Sequence, residues 1–160
     1  MLVGLAEPLA DADPPLPDAV RLREVTERAD MDRIAAMESA VWGADRSHLA
    51  SGLERELAAD PSGTTVVVAE ADSGEVVCAG WIRYIQGTAF GTLWGGSTLP
   101  AWRERGIYKA LVAYRAHLAT TRGYALLQVD ASDDSRPILQ RCGFVAVTTT
   151  TPYVFTPSTH

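Results

Sequence analysis

The stretch "STLPAWRERGIYKAL", Ser97 to Leu111, decides how the rest of the chain is read. It joins the glycine-broken segment "TAFGTLWGGSTL", Thr88 to Leu99, to a helix predicted over Glu104 to Thr121, where Ile107, Ala110, Leu111, Tyr114 and Leu118 recur at helical spacing. Gly123 ends that helix, and the apolar run "YALLQVD", Tyr124 to Asp130, suits an interior strand. Strand, crossover helix and strand form a βαβ unit, so the two strands run parallel and the crossover is right-handed. A helix that begins near Gly106 offers unpaired backbone amides and the positive end of its dipole, a natural seat for phosphate. Gly106 lets the backbone come close to such an anion, and arginines stand at 103 and 105. Taken alone, an Arg-Gly pair before a helix is also an ordinary loop and cap.

Working outward, "TTVVVAEA" at Thr64 to Ala71, the turn "DSG" and "EVVCAGWIRYI" at Glu75 to Ile85 read as a hairpin. Gly91, Gly95 and Gly96 interrupt the following strand, and glycine in a strand marks a bulge or a close approach of ligand to backbone. Upstream, Val20 and Leu22 alternate with Arg21 and Arg23 as in a short strand. Asp30 is placed to cap a helix that carries Ile34, Met37 and Val41. Ser47 caps a second helix with Leu49, Leu53 and Leu57, which "ADPSG" at Ala59 to Gly63 stops. Downstream, a short helix from about Asp134 to Cys142 breaks at Gly143. "FVAVTTTTPYVF" then supplies one or two closing strands, with Pro152 as an interruption or at an edge. Residues 1–18, with Pro8, Pro14, Pro15 and Pro17 among alanines and aspartates, read as a flexible acidic leader, and 19–160 as one domain.

The 160 residues are 47% hydrophobic and 21% charged, which fits one soluble core and neither a disordered nor a fibrous chain. Of the net charge of −6, the leader supplies Glu7, Asp11, Asp13 and Asp18, so the remainder is close to neutral. Without basic clusters, binding driven by a phosphate backbone is not expected, and nucleic acid is set aside as a partner. No apolar run approaches the ~20 residues of a membrane helix, and no basic start precedes an apolar block, so the cytoplasm is the default setting. Cys78 and Cys142 lack a CxxC spacing or a neighbouring His and read as reduced, buried thiols. "DASDDS", Asp130 to Ser135, has Ser135 where a calcium loop needs glycine and Arg141 where it needs its closing Glu. His48, His117 and His160 share no spacing, so neither zinc nor a Ser-His-Asp triad is supported, and no metal is expected.

The segment Arg103, Glu104, Arg105, Gly106, Ile107, Tyr108 resembles the cofactor motif of the GNAT superfamily of N-acetyltransferases: Arg or Gln, two residues, Gly, one residue, then Gly or Ala. Tyr108 departs from the small last residue, and Glu104 stands where many relatives carry glycine. The order of elements from about Val20 to Phe155, with Gly143 and Phe144, is similar to that family as well. The resemblance implies an α+β fold: a mixed, mostly antiparallel central sheet with one parallel, splayed strand pair and flanking helices. It also implies acetyl-CoA as co-substrate, inserted in the splay. The pantetheine amides would then pair with backbone near Gly96, Ser97, Thr98 and Leu99, and the pyrophosphate would lie over Arg103 to Tyr108. A bulge at Gly95 and Gly96 would aim an amide at the thioester oxygen. Ser132 replaces the family's usual asparagine and is placed to bond the pantetheine arm or to cap the short helix. Leu139 replaces a tyrosine that many members use to protonate the departing thiolate.

An alkyl ammonium has a pKa near ~10, so its transfer chemistry needs a proton acceptor. Asp130, at the cleft end of its strand, is the candidate, orienting a water, although it reads first as a strand-end or cap residue. Glu38 falls on the helix that walls the family's acceptor site but reads as solvated surface. Tyr84, Tyr108 and Tyr153 are candidate donors that also read as packing residues, and Trp42, Trp81, Trp94 and Trp102 read as core before pocket. Two functions follow: transfer of acetyl from acetyl-CoA to a primary amine of a small molecule or peptide, or a catalytically weak or silent acyl-CoA-binding module. A homodimer is compatible with either. A dinucleotide-binding domain is disfavoured, because no glycine fingerprint follows the first strand.

Overall fold

The computed structural model describes residues 1–157; the C-terminal end of the expected domain, including His160, lies outside them. In chain order the elements are β1 (Leu2–Leu5), α1 (Ala6–Asp11), β2 (Val20–Val25), α2 (Arg28–Trp42), α3 (His48–Ala59), β3 (Thr64–Ala71), β4 (Val76–Tyr84) and β5 (Phe90–Thr98). A 3-10 turn at Pro100–Trp102 leads to α4 (Ile107–Thr121), β6 (Leu126–Val129), α5 (Arg136–Arg141) and β7 (Val145–Ala146). The strands form one sheet in the order β2-β3-β4-β5-β6-β1-β7. Every neighbouring pair is antiparallel except β5 and β6, the two ends of the predicted βαβ unit.

Strand β3 is buried along its whole length because helices cover both sheet faces. Val66 and Val68 pack with Ile34, Met31 and Leu53 of α2 and α3, while Val67 and Ala69 on the opposite face pack with Ile107 and Leu111 of α4. The period of two in the strand thus distributes one run of valines between two cores. Asp30 sits in the first turn of α2 rather than at its cap, a position that Glu27 takes. Asp30 instead receives Arg23 and Arg33.

The amino-terminal segment corrects the expectation of a flexible leader. β1 pairs along Leu2–Leu5 with β6 and along Leu2–Val3 with β7, so it fills the sheet between them. Leu2, Ala6 and Leu9 are buried with Leu127, Leu139 and Phe144. Among the prolines, the stretch Leu2–Leu9 buries Leu2, Ala6 and Leu9, apolar area enough to seat the strand in the sheet and the short helix on α4. The closing strands are also shorter than expected: β7 holds two residues, and Val147 to Pro157 form no regular element and are exposed.

Candidate functional site

The site begins where the parallel pair parts. β5 and β6 are in register from Phe90–Leu126 to Thr92–Gln128, after which β6 ends while β5 runs on beside β4 to Thr98. From Leu93 to Thr98 the β6-facing edge of β5 has no strand partner, so its backbone is available to another extended chain. Opposite this edge the β4–β5 ladder slips: Ala79 faces Ser97 and Gly80 faces Gly95, leaving Gly96 as the extra residue of a bulge. Gly95 and Gly96 have φ of +71° and +96°. A Cβ on Gly95 would stand 2.6 Å from the Trp81 ring and one on Gly96 2.6 Å from the Tyr108 ring. Conformation and space both require glycine there.

Arg115 of α4 holds this bulge from below. Its side chain is fully buried and occupies the room that Gly80 leaves; Nη1 donates to the carbonyls of Trp94 at 3.0 Å and Trp81 at 3.3 Å, and Nε to that of Leu111 at 3.2 Å. Bonding the Trp94 carbonyl fixes the peptide plane that leads into Gly95. Burial without a carboxylate partner lowers the Arg115 pKa, and the three carbonyl dipoles offset that cost.

The loop before α4 supplies the anion seat. Glu104 and Gly106 both have left-handed backbone, φ +62° and +79°. This explains why α4 begins at Ile107 instead of Glu104, and why glycine suits position 104. Gly106 is the N-cap and makes no side-chain cap, so the first amides of α4 are free for an anion. Arg103 Nε donates to the Thr98 carbonyl at 3.0 Å, tying the loop to the end of β5, and the Arg105 guanidinium lies over the Trp102 ring at 4.9 Å. Tyr108 takes the family's small position by laying its ring over Gly96. Burial there raises its pKa and keeps the phenol protonated.

A cavity of about 760 Å³ follows this edge. Ser97, Thr98, Arg103, Glu104, Gly106, Ile107 and Tyr108 line one side of it, and Ser132 lines the other. Leu99 and Arg105 do not line it: the Leu99 amide bonds the Val77 carbonyl and its side chain packs toward the core. Asp130 does not line it either. It is exposed, 4.0 Å from the amino-terminal ammonium, and accepts from Gln128, because β1 brings Met1 to the end of β6. Lys109, Asp134 and Arg141 also line the cavity, which the sequence reading does not assign to them. Ser132 bonds Ser135 at the start of α5. Leu139 is fully buried among Leu127, Phe144 and Ala116, so it does not face the cleft as its alignment with the family's tyrosine expects.

Trp81 is buried in the core as expected, whereas the other tryptophans and Glu38 depart from expectation. Trp42 and Trp94 are largely exposed, and Trp42 and Trp102 line the cavity. Glu38 is only 4% exposed. Its Oε2 accepts from Trp42 Nε1 at 2.9 Å and from Ser97 Oγ at 2.9 Å, and the same indole is 3.0 Å from Ser97 Oγ. The signal available in the sequence was the i,i+4 spacing of Glu38 and Trp42 on one face of α2. Thr98 Oγ1 donates to Cys78 Sγ at 3.3 Å, and burial pushes the Cys78 thiol up to about 11, which marks it as inert core. Cys142 is half-buried and unpaired with Cys78.

The sequence profile of the acetyltransferase (GNAT) family matches residues 31–144. Among curated proteins no sequence matches the chain. Solved structures share the fold. A predicted acetyltransferase from Clostridium acetobutylicum with acetyl-CoA superposes with a TM-score of 0.71 at 16% identity, over 84% of this chain and 96% of its own. Glucosamine-6-phosphate N-acetyltransferase from Arabidopsis thaliana does so with 0.70 at 14%, over 87% and 100%. An aminoglycoside acetyltransferase from an uncultured soil sample, in complex with sisomicin, gives 0.70 at 14%, over 88% and 98%.

Proposed function

Since the chain belongs to the acetyltransferase (GNAT) family, we propose that it transfers the acetyl group of acetyl-CoA to a primary amine. The observation that carries this reading is the parting of β5 and β6, which leaves a free strand edge, a two-glycine bulge and an uncapped helix start along one cavity. The backbone of Gly96, Ser97 and Thr98 extends toward pantetheine amides as a further strand would. The amides of Ile107, Tyr108 and Lys109, with Arg103, receive the pyrophosphate, and Ser132 bonds the pantetheine arm from the α5 side. An amide at the Gly95–Gly96 bulge stabilises negative charge on the thioester oxygen as the carbonyl is attacked, and Arg115 keeps it in place. The Tyr108 phenol, protonated and at the cavity wall, is the donor nearest in kind to the tyrosine absent from position 139.

The acceptor is a small amine, and sugar amines are the first to test, because two structural neighbours carry names of amino-sugar and aminoglycoside acetyltransferases. Among the described residues no helix is long and apolar enough to cross a membrane. We place the reaction in the cytoplasm with no nucleic-acid partner. The buried Leu139 favours a second reading, a cleft that binds acyl-CoA with little turnover. Release of free thiol from acetyl-CoA with glucosamine, sisomicin and spermidine, together with the mass of the acetylated amine, separates the two. Acetylated product supports transfer. CoA binding without product from any of the three supports the silent module.

A further inference from the structure

We propose that Glu38 and Ser97 form a proton relay that receives the acceptor as an alkyl ammonium, a role that rests on the acetyl-transfer reading above. Three observations carry it. Glu38 is a buried carboxylate that forms no ion pair among the described residues; Arg46, in the loop after its helix, lies over the Trp42 ring at 5.1 Å. A buried charge left this way is costly to keep for structure alone. Its Oε1 has no hydrogen-bond partner, so half of its accepting capacity is unspent. Both donors to its Oε2, the indole of Trp42 and the hydroxyl of Ser97, lie on the cavity wall, and Ser97 directly follows the bulge glycines.

In this arrangement the ammonium of the acceptor donates to Ser97 Oγ while the Ser97 hydroxyl proton moves to Glu38 Oε2. The freed nitrogen lone pair then forms the C–N bond to the thioester carbonyl, and the C–S bond breaks to give the CoA thiolate. The Tyr108 phenol protonates that thiolate, making the thiol, the second nitrogen proton restores the phenol, and Glu38 returns its proton to solvent as products leave. Ser97 is the catalytic residue because it touches the amine. Glu38 and Trp42 are positioning residues, one of which also stores the proton. The relay matters only for an amine that arrives charged: an arylamine is neutral at pH 7 and needs no proton removed before attack.

The test compares wild type, E38Q and S97A in the full chain, with E38D as the conservative variant. Probes are spermidine and glucosamine as ammonium acceptors and anisidine as a neutral arylamine. CoA affinity and thermal unfolding are followed in parallel. We expect E38Q and S97A to lower kcat with the ammonium acceptors about 100-fold, to lower it with anisidine less than about tenfold, and to leave CoA affinity within about twofold. E38D should recover part of the loss. Equal losses on alkyl and aryl amines, or a loss below about threefold on the alkyl amines, overturn the relay. So does a wild-type protein that binds CoA yet acetylates neither ammonium probe, while absence of CoA binding in wild type overturns the acetyl-transfer reading itself and the relay with it.

Discussion

Glu104 shows how one residue carries two kinds of information. Its φ of +62° is unusual for a residue with a Cβ, and its carboxylate lines a cavity assigned to phosphates. Glu104→Gly relieves the backbone and removes a like charge, worth about 1 kcal/mol at ~4 Å in water. CoA should therefore bind about fivefold tighter by calorimetry, while the melting temperature without ligand stays nearly constant, because glycine also adds entropy to the unfolded chain. Weaker binding would give Glu104 a positive role. The sequence exposed Glu104 as an exception to a motif, but only the backbone angle says why glycine is preferred there. The reverse holds for Glu38: Trp42 four residues on is the one local sign, and it does not by itself separate a solvated glutamate from a buried one. The distinguishing contact, Ser97 Oγ, is 59 positions away in the chain.

Among elements, the βαβ unit was legible because its helix and strands each carry a local period, and its one parallel pair follows from the crossover. β1 was not legible, since its partners β6 and β7 are the last strands along the chain, more than a hundred residues away, and prolines and acids crowd its surroundings. Docking of β1 leads to a stability prediction. Leu2→Ala should cost about 2–5 kcal/mol, seen as a lower midpoint in urea with an unchanged slope; a change below about 0.5 kcal/mol would mean that the segment is loosely held. In α5, Leu139→Tyr places a larger polar ring in a filled site and should cost about 1–3 kcal/mol. A melting temperature equal to wild type would show that position 139 opens to the cleft after all.

At the scale of the molecule, the two halves of the sheet are tied differently. The β2–β3 end relies on Glu70, buried under Arg21, Arg23 and Arg33, whose hydrogen bonds hold its carboxyl at about 2 against an ordinary 4.5. The folded pKa is the depressed one, so this stabilisation is complete above about pH 4.5 and is lost as pH falls toward 2. Glu70→Gln should thus melt well below wild type at pH 6 and close to it near pH 2; an equal gap at both would contradict the pairing. The other half relies on apolar packing and leaves part of the β5 edge without a strand partner, the place where the proposed cofactor would pair without displacing a strand. The most direct measurement is calorimetry with CoA and with pantetheine, which lacks the pyrophosphate, on wild type and Gly106→Glu. Wild type should bind CoA, pantetheine should bind about tenfold or more weakly, and Gly106→Glu should bind CoA no better than wild type binds pantetheine. No heat and no rise in melting temperature with millimolar CoA, or equal binding of CoA by both proteins, would contradict this.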